Sequence, residues 1–486
     1  MAVWEGFVGG TYQARSPVFA ADQAINVYLE TRQVDGSPKQ RTLYGTPGLA
    51  LETTVGTTGC RGWFTQDDRT WVVVGATLYE RTAAATYTSL GTITDDGFPV
   101  SFASNGQGGD QLAIVGGGAV YVYDLVAGGP LTTVSLPFVG PVMIVFQDGY
   151  GLVNQADSPI VWFSAIEDFT DFDALDFFTR SGTSDNVVAL AVTKDRVWTI
   201  GSKTTTLFYD SGDADTPWLP YPGTTMQVGI VNPWLLSVYH DTLYWVGRSA
   251  KGQPQVWRAV DATAQPISTP PIEMFLSGCS SLEDAEALCY AQDGHTFYAM
   301  TCPSTTDDVC TYAFDVLENL WHARAGWNSV EGVYTRWRAR GCTAAGQEVL
   351  VGDYLSGAIY ALDLDTFADN GAVLMRERVA PYLGTDPQWA FLNGVQLLAQ
   401  SGVGIQSGQG SDPEVELLIS RDGARTWISA GLAALGAMGQ YLTRTHWDRL
   451  GRVRQDLLVL RIRQSDPVKT AWTGLALDLV NGTGRL

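Results

Sequence analysis

At 486 residues, with 45% hydrophobic, 11% aromatic and 17% charged residues, the chain has a globular composition and room for one large domain plus a smaller one. Its formal net charge of −21 argues against a nucleic-acid reader, which needs clustered Lys and Arg. The opening MAVWEGFVGG has no basic or apolar signal region, and no run approaches the ~18 apolar residues of a membrane span, so the sequence predicts a soluble protein without a standard secretion signal.

Residues 1 to about 55 do not read as part of the repeat that follows. They offer one candidate strand, Ala24 to Glu30, a polar linker VDGSPKQR at 34–41, and a turn at Thr46, Pro47 and Gly48. A strand pair then recurs. Asp68 opens DRTWVVVGATLYER, Asp110 opens DQLAIVGGGAVYVYD, Asp195 opens DRVWTIGSKTTTLFYD, Asp241 opens DTLYWVGRSAKGQPQVWRAVD and Glu348 opens EVLVGDYLSGAIYALD. Each joins a β-branched and aromatic run through a glycine-containing turn to a second such run.

The marker glycines Gly75, Gly116, Gly201, Gly247 and Gly352 are 41, 85, 46 and 105 residues apart. Two steps are double, and degenerate copies fill them at 149–164 and 294–315. That makes about seven units at 277 residues over six steps, or about 46 per step. A strand-built period of ~40–50 residues predicts a β-propeller of about seven blades, because a hairpin must stack on neighbours to bury both faces. An ordinary β-sandwich with chance similarity among hairpins is the competing architecture.

Between the units, AIEDFTDFDALDFF at 165–178 alternates carboxylates with Phe and predicts a packed flap over the blades. Arg336, Arg338 and Arg340 in YTRWRARG would share one face of a strand, which suits a solvated or partner-facing strand better than a converging carboxylate site. After Phe367 the period is lost. A glycine-serine loop at 402–411 precedes new strands, among them DLLVLRIR at 456–463, with Leu458, Leu460 and Ile462 on one face and Arg461 and Arg463 at the tip of the other. The expected division is 1–55 and 371–486 as the two parts of a small β platform domain, with the propeller over 56–370. Residues 51–411 hold 16 basic and 39 acidic residues, whereas 412–486 hold 10 and 8, so the propeller is acidic and the platform is not.

Tests for chemistry return nothing of recognisable spacing. The four histidines are scattered, the six cysteines follow no CxxC pattern, and Cys302 and Cys310 flank one predicted hairpin where they could be close. SRDGARTW at 420–427 partly resembles an Asp-box turn, a structural motif, with Ala424 where that motif has glycine. No nucleophile with an adjacent base is found, so the chain is expected to be no enzyme, with no cofactor and no metal site.

Several stretches in order resemble the DNA-stabilisation proteins of short-tailed phages, which form the tail hub or nozzle. They are GTYQARS, INVYLE and TPGL near the start, then FDALDF, VGI, ISTPPIE, GHTFYAM, LWHAR, VGDYLSGAIYALD and finally RERVAPYL at 376–383. Paired cysteines around 279–310 and the acidic bias depart from that family. The resemblance implies a virion protein, assembled in the host cytoplasm, with six copies around the tail axis below the adaptor. It implies contacts with the adaptor, with spike or fibre and with needle or tip proteins, passage of packaged DNA without sequence-specific binding, and no membrane insertion. It makes His295, His322 and Trp321 packing residues. Arg452, Arg454, Arg461 and Arg463 are the candidate contacts with a neighbouring subunit or adaptor, and the latter two are expected to matter for assembly more than for folding. The alternative from another class is a propeller glycan-binding protein or glycoside hydrolase at the host surface; a DNA-binding clamp is a third.

Overall fold

A computed structural model describes residues 1–32, 36, 41–182, 184–213, 216–248, 252–303, 309–384 and 387–481. Most of the polar linker expected at 34–41 lies outside these.

Seven four-stranded antiparallel sheets follow one another along the chain, at 60–92, 101–133, 141–179, 187–220, 237–266 and 286–324, with the seventh formed by 339–363 and Gly48–Thr54. First strands of successive blades pack side by side around the axis, and the first strand of blade seven, Ala339–Ala345, returns to pack on Cys60–Gln66 of blade one. Between blades four and five the single turn Pro233–Leu235 fills the gap. The recurring hairpins of the sequence are the second and third strands of each blade, as in Arg196–Gly201 with Thr205–Asp210. The degenerate copies occupy the same places, Tyr150–Gln155 with Ile160–Phe163 and His295–Thr301 with Thr311–Asp315.

The turn before the second strand holds a left-handed residue, supplied by Lys194 (φ 53°) and His240 (φ 49°) ahead of Asp195 and Asp241 and by an aspartate in several other blades. Asp67 (φ 49°), Asp68 (φ 63°), Asp148 (φ 50°) and Asp293 (φ 50°) sit in left-handed turns between first and second strands, a conformation Asp and Asn tolerate better than most residues.

The N-terminal segment departs from expectation at one point. Gly48–Thr54 is not platform but the outer strand of blade seven, with Ile359 opposite Thr53 and Leu362 opposite Leu49. Blade seven thus draws strands from both ends of the repeat region, which closes the ring of sheets, and this strand supplies the N-terminal end. Gly48 permits it, because a Cβ there would meet the Thr366 carbonyl oxygen at 2.4 Å and the Ala368 carbonyl oxygen at 2.5 Å.

The rest of both termini forms a β-sandwich. One sheet runs in the order Val27–Thr31, Arg41–Gly45, Ala471–Asn481, Trp389–Ala399, Thr445–Arg454, with Ala2–Trp4 also paired to Ala471–Asn481. The other runs Ala21–Ile25, Arg376–Val379, Val459–Gln464, Glu414–Ser420, Ile428–Ala434. Between them lies a core that includes Phe7, Leu43, Leu392, Leu417, Trp447 and Trp472, together with Leu458, Leu460 and Ile462 as their alternation required.

The second sandwich sheet is continuous with blade six. Ala21–Ile25 lies between the outer strand of that blade, Leu320–Arg324, and Arg376–Val379. The candidate strand at 24–30 is therefore two strands broken at Asn26, whose φ of 54° turns the chain from one sandwich sheet into the other.

Candidate interaction faces and the joint between the domains

Asn26 holds this joint with every polar group it has. Its Nδ2 donates to the carbonyls of Ala325 and Met375, both at 2.8 Å, its Oδ1 accepts from the Ala325 amide at 3.0 Å, and its own amide donates to the Ala323 carbonyl at 2.9 Å. The side chain is 1% exposed.

RERV at 376–379 is buried throughout, and its three charges lie in three different settings. Arg378 donates to the carbonyls of Phe7 and Gly10, each at 2.7 Å, which ties down the N-terminal segment. Arg376 faces Asp369; burial lowers its pKa to about 10 and raises that of Asp369 to about 7, the latter partly offset by the Arg376 charge. Glu377, 1% exposed, receives Arg461 at 3.3 Å, Arg463, and the Tyr334 hydroxyl at 3.0 Å. Tyr334 belongs to the hairpin Gly326–Asn328 with Val333–Thr335, which leaves blade six and reaches over the sandwich.

Arg461 and Arg463 are therefore not edge residues. Their strand runs between Arg376–Val379 and Glu414–Ser420. The guanidinium of Arg461 lies 3.9 Å over Trp427, and that of Arg463 lies 5.9 Å from the ring centre of Trp327. Alternation correctly gave the face of the sheet, but the propeller hairpin and Trp427 cover that face. The expectation that these two arginines matter for assembly more than for folding is corrected on this point.

Arg452 and Arg454 sit on the opposite sheet. Arg454 is half-buried and pairs with Asp456 at 2.7 Å. Arg452 is exposed, and its guanidinium lies 4.1 Å over the Trp389 ring. Phe391, opposite both Arg452 and Val480, is 48% exposed and Val480 is 51% exposed. Of this cluster the sequence pointed to Arg452 but not to Trp389, Phe391 or Val480. The signal for the first two is the opening of WAFLNGVQLLA, where Trp389 and Phe391 occupy the face opposite the buried Ala390 and Leu392.

The arginines of YTRWRARG are committed within the propeller. Arg336 and Arg340 both pair with Glu286, the latter at 2.7 Å, and Arg338 pairs with Asp353 at 2.8 Å. Arg336 also lies 4.0 Å over Tyr354. These groups lie near the axis, where a cavity of about 460 Å³ is lined by residues including Arg61, Trp63, Trp234, Glu286 and Arg340. That is the size of a small-ligand pocket.

His295 bonds Asp315 at 2.7 Å inside blade six, and Trp321 donates its indole N–H to the Ile267 carbonyl at 3.0 Å. His322 is buried, which holds its pKa well below the usual value and keeps it neutral. The Cys302 amide donates to the Cys310 carbonyl at 2.9 Å, and none of the six cysteines is in a disulfide. Among the described residues, no group of three or more His, Cys, Asp or Glu could hold a metal ion. At 165–178 the expected packed flap is present, with Phe169 and Phe172 buried and Ile166 and Leu175 exposed.

Two family models match the chain: the bacteriophage P22 Gp10 beta-propeller over 6–367 and the bacteriophage P22 Gp10 beta-sandwich over 375–479. No curated protein matches it. Similar solved structures include the WD40 beta propeller domain of Doa1, at 12% identity over 65% of this chain and 97% of that one with a TM-score of 0.39. Another is virginiamycin B lyase from Staphylococcus aureus, at 11% identity over 63% and 97% with a TM-score of 0.42. At such scores neither bears on function. The two family matches follow the propeller and the sandwich in turn and together span nearly the whole chain. The chain belongs to the bacteriophage P22 Gp10 family of podovirus tail hub and stabilisation proteins, and its role is that of a non-enzymatic structural component of the virion.

Proposed function

We propose that this protein forms a sixfold ring below the portal and adaptor, extends the DNA channel, helps retain the packaged genome, and docks the spike or fibre and the needle or tip. The observation that carries this reading is the continuity of blade six with the sandwich through Ala21–Ile25. A subunit whose two domains share one hydrogen-bonded sheet is a rigid block, suited to holding a ring in register against the load of packed DNA.

The charge division fits the same reading. Like charge keeps DNA from adhering to a surface balanced at −23, counted from 16 basic and 39 acidic residues over 51–411, while the near-neutral sandwich is free to meet other proteins. The DNA path runs between copies and not through one propeller. The cavity near the propeller axis, about 460 Å³, is of small-ligand size and too small to hold a duplex. Assembly in the host cytoplasm, before the virion is released, belongs to this reading.

Sedimentation of the purified protein mixed with its portal and adaptor complex tests it. Co-sedimentation at six copies per complex is expected; a protein that stays monomeric and apart from the complex would remove the reading.

A further inference from the structure

We propose that the outer face of the sandwich around Arg452 is a contact between subunits, and that it receives the acidic flap of blade three, residues 165–179, from a neighbouring copy. The inference rests on the ring reading above.

The face is built from three adjacent strands. Val480, Phe391 and Arg452 lie directly across from one another on Ala471–Asn481, Trp389–Ala399 and Thr445–Arg454. Trp389 lies 4.1 Å beneath the Arg452 guanidinium and fixes its direction. Arg452 makes no ion pair among the described residues, although it is held in place. An oriented arginine beside exposed aromatic and aliphatic groups has the composition of an interface hot spot. Its occupant must offer carboxylates and apolar groups together, because lone carboxylates would leave Phe391 and Val480 wet.

The blade-three flap has that chemistry. From 165 to 179 it holds Glu167, Asp168, Asp171, Asp173 and Asp176 and no basic residue. Ile166 is 64% exposed and Leu175 is 82% exposed among these carboxylates. The flap is also pre-shaped. Phe169 and Phe172 are sunk into the blade, the Phe169 amide donates to Gln111 at 2.6 Å, and Asp168 accepts from Gln111 at 3.1 Å. Little ordering is therefore left for binding to accomplish. Burial, with the Asp173 and Asp171 charges, pushes the Asp176 pKa up from its ordinary value, a crowding that a partner's guanidinium would relieve.

Placement makes the pairing head-to-tail. The sandwich is attached at blades six and seven, and in a closed ring of seven blades the one opposite that junction is blade three. The two patches thus lie at opposite ends of one subunit and cannot meet within it. Two different complementary patches at opposite ends generate a heterologous assembly, which closes into a ring when the rotation allows. The Arg452 face is a poor match for its own copy, since like charges would face each other.

Charge reversal with rescue tests the contact. Arg452→Glu alone, the pair Asp171→Lys and Asp173→Lys alone, and all three together are assembled on the portal and adaptor and counted by mass photometry, with melting temperature checked for each. The single and paired reversals are expected to reduce filled rings at least tenfold without lowering the melting temperature, and the combination to restore them. Arg452→Glu assembling like the wild type would overturn this contact while leaving the ring standing. Loss without rescue would also overturn it, since Arg452 would then face some other partner. A wild-type protein that makes no ring would overturn both this inference and the reading beneath it.

Discussion

Tyr334 donates its hydroxyl to the Glu377 carboxylate at 3.0 Å, so that a hairpin of the propeller is bonded to a strand of the sandwich through a fully buried acid. Arg461 and Arg463 supply the opposing charge from the neighbouring strand. The joint is therefore electrostatic as well as hydrogen-bonded, and most of its members lie away from solvent.

Removing the acid strands both cations. Glu377→Ala is expected to cost ~3–5 kcal/mol, because two guanidiniums lose the buried carboxylate that both of them pair with. Tyr334→Phe, which leaves the ion pairs intact, is expected to cost ~1–2 kcal/mol. Urea titration of the two variants measures both. A Glu377→Ala protein within 1 kcal/mol of the wild type would show that the joint is held elsewhere.

Asn26 is the corner between the sheets. Asn26→Ala loses its side-chain bonds to Ala325 and Met375 and also places a Cβ-bearing residue without a local polar partner at a φ of 54°. A loss of ~3 kcal/mol or more is expected. Asn26→Gly keeps the backbone at ease, so it separates the two causes: it should recover only the conformational part, ~1 kcal/mol. Equal stability of the two variants in calorimetry would mean the backbone conformation costs nothing there.

Asp369 gives stability a pH dependence. Its folded pKa of about 7 lies above the value of an unfolded aspartate, so its contribution is fully present below about pH 4 and is lost as pH rises towards and through 7. Above that range the folded state carries the cost of an ionised buried carboxylate. Asp369→Asn should remove this slope. The difference in stability between variant and wild type, followed by denaturation from pH 4 to 8, should shift in favour of the variant as pH rises; a constant difference would contradict the assignment.

Ala424 sits at a φ of 64° in the turn where an Asp-box has glycine. The Asp422 carboxylate organises that turn, accepting from the amides of Arg425 and Thr426 and from the Thr426 hydroxyl. Ala424→Gly is expected to raise stability by ~0.5–1 kcal/mol, since the left-handed conformation costs alanine about that much. A lower melting temperature for this variant would show that the alanine methyl is needed for packing.

The blades were legible in the sequence because each must bury both faces of its central hairpin. That requirement writes the same β-branched and aromatic pattern into Val72 to Val74, Leu112 to Val115 and Val197 to Ile200, all buried. The flap was legible through Phe169 and Phe172 for the same reason. Ring closure was not, because GLALETT carries no mark of its partner and Thr53 pairs with Ile359 far along the chain. Nor was the joint. A period of two tells which face Arg461 and Arg463 occupy, but not that Trp427, Tyr334 and Glu377 cover that face. Arg452 was named from the sequence, but its neighbours Phe391 and Val480 were not, because they meet across strands separated by most of the C-terminal domain.

The most direct measurement is single-particle electron microscopy of the purified protein, alone and mixed with its portal and adaptor complex. The account predicts a sixfold ring on the adaptor, with propeller-sized lobes joined rigidly to a sandwich that bears the subunit contacts. A lone propeller that ignores the adaptor, or one whose sandwich swings freely from it, would contradict the account.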